Sequence, residues 1–398
     1  MDKNIRLGVQ GFTFNGIHVG IKEGQKKDLS LIHSQVPAVA SAVFTTNDFK
    51  AAPVLLSMER IREGVAQTII TNSGNANAAT GEQGYRDAVT MSHVTAVEIG
   101  VDPSSVLVAS TGKIGEFLPI KKIETGIPSL IRGLSAEKID AAEEAIMTTD
   151  KFPKLERRTG RIGSQEVTIC GIAKGAGMIE PNMATMLAYV MTDAQIVHKE
   201  LDKVFRESVD RSFNAISVDG CMSTNDMAVV MANGFAGNKT LNSGTGDYHI
   251  FSEMLFSVME ELAKSIVRDG EGATKVLEIV VVGANTQDNA KKVAYAIARS
   301  NLVKTAFFGK DPNWGRIISA AGSVGLGISN DQMEVLLDDF PVFSSGRGCK
   351  GAESRLLDIM EQNNIRVTVN LGMGKESFKM FASDLSHEYV HINADYHT

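Results

Sequence analysis

The sequence predicts an α/β protein. Stretches of helical and strand-like periodicity alternate along the whole chain. Short apolar runs stop at Asn, Ser and Gly, as strands entering loops do. The 398 residues, 43% hydrophobic and 22% charged, are enough to bury a large core without staples. That length suits two domains or one large interwoven unit. No repeat, low-complexity tract or Pro-rich linker marks a boundary between domains.

Taken in order, residues 67–71 are a short apolar run entering Asn72-Ser73-Gly74, a strand followed by a loop. Thr80 and Gln83 have the spacing of a capping box. The helix they start is expected to run to Ile99 and to stop at Gly100, with Pro103 beyond. Residues 106–109 form another buried strand, ending at Ser110-Thr111-Gly112. The run 186–191 is a third. Phe251, Leu255, Val258, Leu262 and Ile266 make a helical stripe, with Glu260 and Lys264 paired on the wet side. That helix ends near Asp269-Gly270. A strand follows at 276–282, then a helical face of Ala290, Val293, Ala294 and Ile297, and a late strand at 367–370.

Charge and cysteine usage exclude several classes. A net charge of −7 leaves no basic face for a phosphate backbone, so no nucleic-acid partner is expected. The three cysteines, Cys170, Cys221 and Cys349, are odd in number and lack CxxC spacing. A disulfide framework is not expected, which fits a reducing compartment. Residues 1–16 lack the apolar stretch of a signal peptide, and the longest apolar strings are too short to span a membrane. The expectation is a cytoplasmic protein without a membrane partner. No HExxH motif or CxxC pair supports a metal site, and no GxSxG elbow is present. Gly372-Met373-Gly374-Lys375-Glu376 imitates the end of a P-loop, but Glu376 stands where Ser or Thr is needed. Asp311-Pro312-Asn313-Trp314-Gly315 reads as turn chemistry.

The most unusual stretch is KGAGMIEPNMATMLAYVMT, from Lys174 to Thr192. Gly175 and Gly177 permit backbone that other residues resist, and Pro181 interrupts any regular element. The stretch places Thr185 at the start of a strand, where packing would hold a nucleophile rigidly. It equally describes an ordinary glycine-rich turn before a strand. Thr111 and Gly112 could aim a hydroxyl and an N–H at one point, the pair of donors an oxyanion needs. Glu271, between Gly270 and Gly272, could meet a substrate amine. Each of these is also readable as a turn residue.

Taken together and in order, the motifs identify a family. The chain resembles the ornithine acetyltransferase (glutamate N-acetyltransferase) family of arginine biosynthesis over nearly its whole length. The likeness rests on GFTFNGIHVGIK, FTTN at Phe44, NSGNANAATG at Asn72, STG at Ser110 and AIMTTD at Ala145. It continues through KGAGMIEPNMATML, STND at Ser223, DGEGATK, FFGKDPNWGR at Phe307 and the final INADYHT. The resemblance implies layered β-sheets flanked by helices, in a self-cleaving fold shared with aminopeptidases. A cut between Ala184 and Thr185 would give an α chain, 1–184, and a β chain, 185–398, intertwined in one catalytic unit and assembled as α2β2. Thr185 would then carry the acetyl group from N-acetylornithine to glutamate in a ping-pong reaction, its own amino group acting as base. Thr111 and Gly112 would hold the oxyanion. Thr148, Lys174, Thr185, Glu271, Asn393 and Thr398 would contact substrate. No cofactor is implied; acetyl-CoA is a second donor the family allows. Two other readings stay open on the sequence: an N-terminal threonine hydrolase or aminopeptidase of the same fold, and a binding protein that has lost the chemistry.

Overall fold

A computed structural model of the chain describes residues 8–180, 186–349, 351 and 353–395. The chain is α/β and divides into two compact units, Met1–Asn214 with Cys221–Ile266, and Ala215–Gly220 with Val267–His397. The division falls inside a helix and beside a two-residue strand. Composition does not change at such places, which is why no boundary is legible in the sequence.

The first unit is built on one mixed sheet. Its strands are β1 (Phe12–Ile17), β2 (Leu29–Phe44), β3 (Val65–Asn75), β4 (Val106–Lys113), β5 (Lys154–Ile162), β6 (Gln165–Lys174) and β7 (Leu187–Thr192). After β8 (Ile216–Ser217), which belongs to the second unit, β9 (Met227–Ala232) completes it. The order is β4-β3-β2-β9-β7-β6-β5, with β1 antiparallel to β2. β3–β4 and β7–β9 pair in parallel.

β2 is the hinge of this sheet. Its first half pairs with β3 and its second half with β9, and the register breaks between His33 and Ala38. Pro37 lies in that break, where a missing N–H costs no ladder bond. The sheet bends there and folds over itself. Thr71 on β3 and Tyr189 on β7, not neighbours in the order, come to 2.8 Å between side-chain oxygens inside the core. Ile32, Ile69 and Leu107 share one apolar cluster with Tyr189, Met191 and Val229.

Helices α1 (Ala52–Arg60), α2 (Gly81–Ile99), α3 (Ile120–Arg132), α4 (Ile139–Ile146), α5 (His198–Arg211) and α6 (Gly246–Arg268) follow in chain order. α2 ends at Gly100 in the left-handed region, φ 79°, as its sequence predicts. Its start differs. Thr80 is the N-cap residue, but its hydroxyl donates to Asn77 Oδ1 and caps no helix N–H. The apolar stripe of α6, from Phe251 to Ile266, is fully buried, and Lys264 reaches Glu260 and Glu261 outside it. Leu262 and Val258 pack where Gly171 on β6 leaves room for them.

The second unit holds a second mixed sheet, ordered β13-β12-β11-β14-β10-β15-β8. Its strands are β10 (Val276–Ala284), β11 (Glu334–Leu337), β12 (Phe340–Ser344), β13 (Arg347–Gly348), β14 (Asn364–Asn370) and β15 (Glu376–Ser383). Helices α7 (Gln287–Arg299), α8 (Asn301–Phe308), α9 (Trp314–Gly322), α10 (Glu353–Glu361) and α11 (His387–Asp395) complete it. Ala290, Val293, Ala294 and Ile297 of α7 join Ile279, Val281, Val367 and Val369 in its core. The predicted turn at Asn313 is a helix cap, its side chain accepting the Arg316 N–H at 3.2 Å. Among the described residues no helix is long and apolar enough to cross a membrane.

Candidate active site

Where β3 and β4 end side by side, Ser73 faces Thr111 and Gly74 faces Gly112. The structure extends β4 through Lys113, so Thr111 and Gly112 sit on a strand instead of in the loop the sequence suggested. Gly112 has φ 135°, and a Cβ there would stand 2.3 Å from the Gly74 carbonyl carbon and 2.5 Å from the Asn75 nitrogen. Only glycine fits so close an approach of two backbones.

The asparagines of NSGNANAATG build the wall behind this point. Asn72 Nδ2 donates to the Asn75 carbonyl at 2.8 Å, and Ser110 Oγ donates to Asn72 Oδ1 at 2.6 Å. Asn75 donates to the Glu116 and Phe117 carbonyls. Asn225, in the STND motif, donates to the carbonyls of Ala76 at 2.6 Å and Ser110 at 2.9 Å. These amides tie the ends of β3 and β4 to the turns that follow them, giving backbone carbonyls partners that apolar side chains could not supply.

Lys174 is the last residue of β6 and is buried. Its ammonium donates to Thr111 Oγ1 at 3.3 Å. The bent sheet thus brings one end of β6 to one end of β4, although four strands, β3, β2, β9 and β7, separate them in the pairing order. Asp150 fastens the next loop to the same place. Its carboxylate accepts the Thr148 N–H at 2.8 Å, the Gly175 N–H at 2.7 Å and the Lys154 ammonium at 2.7 Å. Burial by itself would raise this carboxyl. Lys174, Lys154 and the hydrogen bonds together outweigh burial and hold it well below the usual carboxylate range. Lys22 adds a second cation nearby. Burial, and then the Lys174 charge, bring it down to about 8 against the pull of Asp28 and Asp150.

The structure therefore gathers Thr111, Gly112, Thr148 and Lys174 within the first unit. Ala184 and Thr185 lie outside the described residues. The chain is described again from Met186, which is buried and leads directly into the wholly buried strand β7. The Met186 N–H bonds to the carboxyl of Asp226, a residue 1% exposed.

Within the second unit, Glu271 and Asn393, far apart in sequence, are joined by a bond of 2.9 Å from Asn393 Nδ2 to Glu271 Oε2. Glu271 is largely buried while Asn393 on α11 is exposed. Gly272, φ 70°, passes so near α11 that a Cβ would meet the Tyr389 nitrogen at 2.4 Å. Thr274 and Lys275 are anchored by Asp384, and the Lys275 ammonium donates to the carbonyls of Met360 and Gln362. The lysine of DGEGATK thus ties the start of β10 to the end of α10. Thr398 lies outside the described residues.

Residues 13–398 match the model of the ArgJ family. A protein of Geobacter sulfurreducens named arginine biosynthesis bifunctional protein ArgJ is 50% identical over 393 residues, 98% of this chain and 100% of its own. The chain belongs to the ArgJ family. An ArgJ protein of the same name from Caldanaerobacter subterraneus is 45% identical over 402 residues, covering 100% of this chain and 99% of that one. The crystal structure of ArgJ from Bacillus halodurans is 40% identical, with a TM-score of 0.51, and covers 52% of this chain and 98% of that one. The resemblance carried by the motifs is borne out, and with it an enzyme of the acyltransferase class in arginine biosynthesis.

The ArgJ motifs hide residues that motif reading passed over. Asp150 is visible in the sequence only as the end of AIMTTD, and Asn225 and Asp226 only as part of STND. The signal available was a carboxylate or amide inside a motif that otherwise needs none. Lys22, at the end of GFTFNGIHVGIK, carries no local signal, because its neighbours arrive from residues 147–174.

Proposed function

We propose that this ArgJ chain transfers the acetyl group of N-acetylornithine to glutamate through an acetyl-enzyme on Thr185, after cutting itself between Ala184 and Thr185. In maturation the Thr185 hydroxyl adds to the Ala184 carbonyl, the peptide C–N bond breaks, and water hydrolyses the resulting ester. The freed amino group, with an ordinary pKa of about 8, is neutral often enough at neutral pH to accept the proton of its own hydroxyl. Thr185 then attacks the acetyl carbonyl, ornithine departs, and the amine of glutamate removes the acetyl group.

The observation that carries this reading is the bond from Lys174 to Thr111, beside Gly112 and at the level of the strand that follows Thr185. Thr111 and the Gly112 N–H are the oxyanion donors, worth about 10²–10³-fold each in kcat for such a site. Lys174 and Thr148 receive the carboxylate that both amino acids share. Glu271, held by Asn393, receives the amine, and Thr398 is a further substrate contact. The word bifunctional in the relatives' name supports a second use of acetyl-CoA as donor to glutamate. A solved ArgJ chain that covers 52% of this chain and 98% of itself supports a mature protein made of two pieces. The working assembly is α2β2, in the cytoplasm, with no cofactor.

Denaturing intact-mass measurement tests this, before and after adding N-acetylornithine without glutamate. Two fragments that meet at Ala184–Thr185, with one acetyl group on the fragment starting at Thr185, are expected. A single uncut chain that gains no acetyl group refutes the mechanism. Acetylornithine turnover that ignores glutamate replaces transferase with hydrolase.

A further inference from the structure

Lys22 takes no part in the reaction proposed for this chain, yet its side chain ends beside groups that do. It stands in the loop between β1 and β2, and that loop is wound on one buried carboxylate. Asp28 accepts the N–H groups of Val19 at 2.6 Å, Gly20 at 3.1 Å, Ile21 at 2.7 Å and Lys22 at 3.0 Å. The Asp28 carbonyl in turn accepts the Ser73 N–H at 2.9 Å, which fastens the loop to the end of β3. The Lys22 stem then crosses Gly74, where a Cβ would stand 3.0 Å from Lys22 Cγ. Gly74 is the residue that faces Gly112. At its far end the Lys22 ammonium donates to the Lys27 carbonyl at 2.8 Å and to the Met147 carbonyl at 2.6 Å. Met147 immediately precedes Thr148, whose own N–H is held by Asp150.

We propose that Lys22 is a positioning residue of the carboxylate subsite: its ammonium fixes the Met147–Thr148 backbone and supplies a second positive charge alongside Lys174. This rests on the reading that Thr148 and Lys174 receive the substrate's carboxylate. The charges of the cluster show why a second cation matters. Three ammonium groups, Lys22, Lys154 and Lys174, bear on two carboxylates, Asp28 and Asp150. One positive charge is left for an incoming carboxylate to balance. Without the Lys22 proton the cluster is already neutral, and the substrate's carboxylate arrives uncompensated in a partly buried place.

The same proton is held loosely. Burial, the largest influence, lowers the Lys22 ammonium to about 8; Asp28 opposes the fall, Lys174 adds to it, Asp150 opposes it and Lys26 adds to it. The remaining charged groups near the loop lie farther toward solvent. Lys26 is exposed, as is Lys122, whose ammonium donates to the Gly20 carbonyl at 2.5 Å. His18 lies 3.3 Å from the Asp28 carboxylate, and Lys27 is paired with Glu144 at 2.5 Å. Glu143 bears on Lys154 and Asp150 from α4, and burial raises it to about 8. It is therefore neutral where Lys22 is charged, and it titrates in the same range.

The test compares two acetyl donors on the mature enzyme: N-acetylornithine, and N-acetylputrescine, which has the same amide and the same distal amine but no carboxylate. The readout is the ratio of their kcat/KM values, in which everything the two donors share cancels, the Thr185 amine included. Lys22→Met is expected to lower that ratio by about 10- to 100-fold at neutral pH, the worth of a charge-assisted hydrogen bond. The loss should fall on KM for N-acetylornithine and spare N-acetylputrescine. The parent's ratio should also decline as pH rises through about 8. Lys22→Arg, which stays charged, should keep the ratio and remove the decline that Glu143 alone would leave in place. Slower turnover of both donors by Lys22→Met, with the parent's ratio unchanged, overturns the proposal and makes Lys22 a residue of the fold only. Should Lys22→Met fail to fold, Lys22→Arg decides: a ratio that declines with pH as the parent's does overturns the proposal. A parent that treats the two donors alike is a different failure, because it removes the carboxylate subsite itself.

Discussion

Gly112→Ala is the sharpest test of the β3–β4 junction. The added methyl would stand 2.3 Å from the Gly74 carbonyl carbon, 2.5 Å from the Asn75 nitrogen and 2.7 Å from the Gly74 Cα. All three are backbone atoms, so no side chain can rotate away. The residue also has φ 135°, a region that an L side chain resists, at about 1–3 kcal/mol. Forcing the strands apart adds overpacking of about 1–3 kcal/mol. The sum, about 2–6 kcal/mol, is a large part of an ordinary domain's stability. Urea denaturation of purified protein measures it as a lowered midpoint. Acetyl transfer should fall further than stability does, by about 10²-fold or more, because the Gly112 N–H is displaced from the oxyanion. An alanine variant with the parent's midpoint and the parent's kcat would show that these backbones are not held at this separation, and would remove Gly112 from the site.

Four other outcomes are expected. Thr111→Val, of nearly the same shape, should lower kcat by about 10²-fold with little change in melting temperature; an unchanged kcat would take the hydroxyl out of the oxyanion hole. Asp150→Asn should destabilise by about 3–5 kcal/mol, because it removes the carboxylate of a buried ion pair with Lys154; denaturant titration reads the loss. The depressed carboxyl of Asp150 gives stability that is present above the unfolded pKa of about 3.9 and lost as pH falls through the folded value, so this variant should flatten the acid limb of a stability profile. Glu143 has the opposite sign. Burial, then Asp140, raises it to about 8, so the folded state holds an extra proton and stability falls as pH rises from the ordinary glutamate range toward 8. Glu143→Gln should raise the melting temperature above that pH and leave it unchanged in acid.

Much of the fold is legible because its signals are local. The stripe of α6, the glycine stop of α2 and the apolar runs of β7 and β10 are each set by residues within a few positions. The bend in β2 is not. Pro37 announces an interruption, but only the pairing with β3 on one side and β9 on the other shows that the interruption folds the sheet. The site divides in the same way. Gly112 and Lys174 are visible through motifs, whereas Lys22 and Asp226 gain meaning only when strands distant in sequence set a charge beside them. Thr80 shows the reverse failure: its capping-box spacing is present, yet a closer acceptor, Asn77, takes the hydroxyl.

The sheet order has a consequence for a chain cut between residues 184 and 185, as proposed above. β7 and β9, both after the junction, lie between β2 and β6, both before it. Separating 1–184 from 185–398 would break the β6–β7 ladder from Ile169 to Lys174 and the β2–β9 ladder from Val39 to Phe44. Every residue of β7 and β9 is buried, so the same act would expose two central strands to water. A cut at a sheet's edge could release a fragment; one that leads into its middle leaves both pieces bound by the core they share. The fragments should therefore elute together from a size-exclusion column in native buffer and part only in denaturant. Elution of a folded 1–184 fragment by itself would contradict the sheet order.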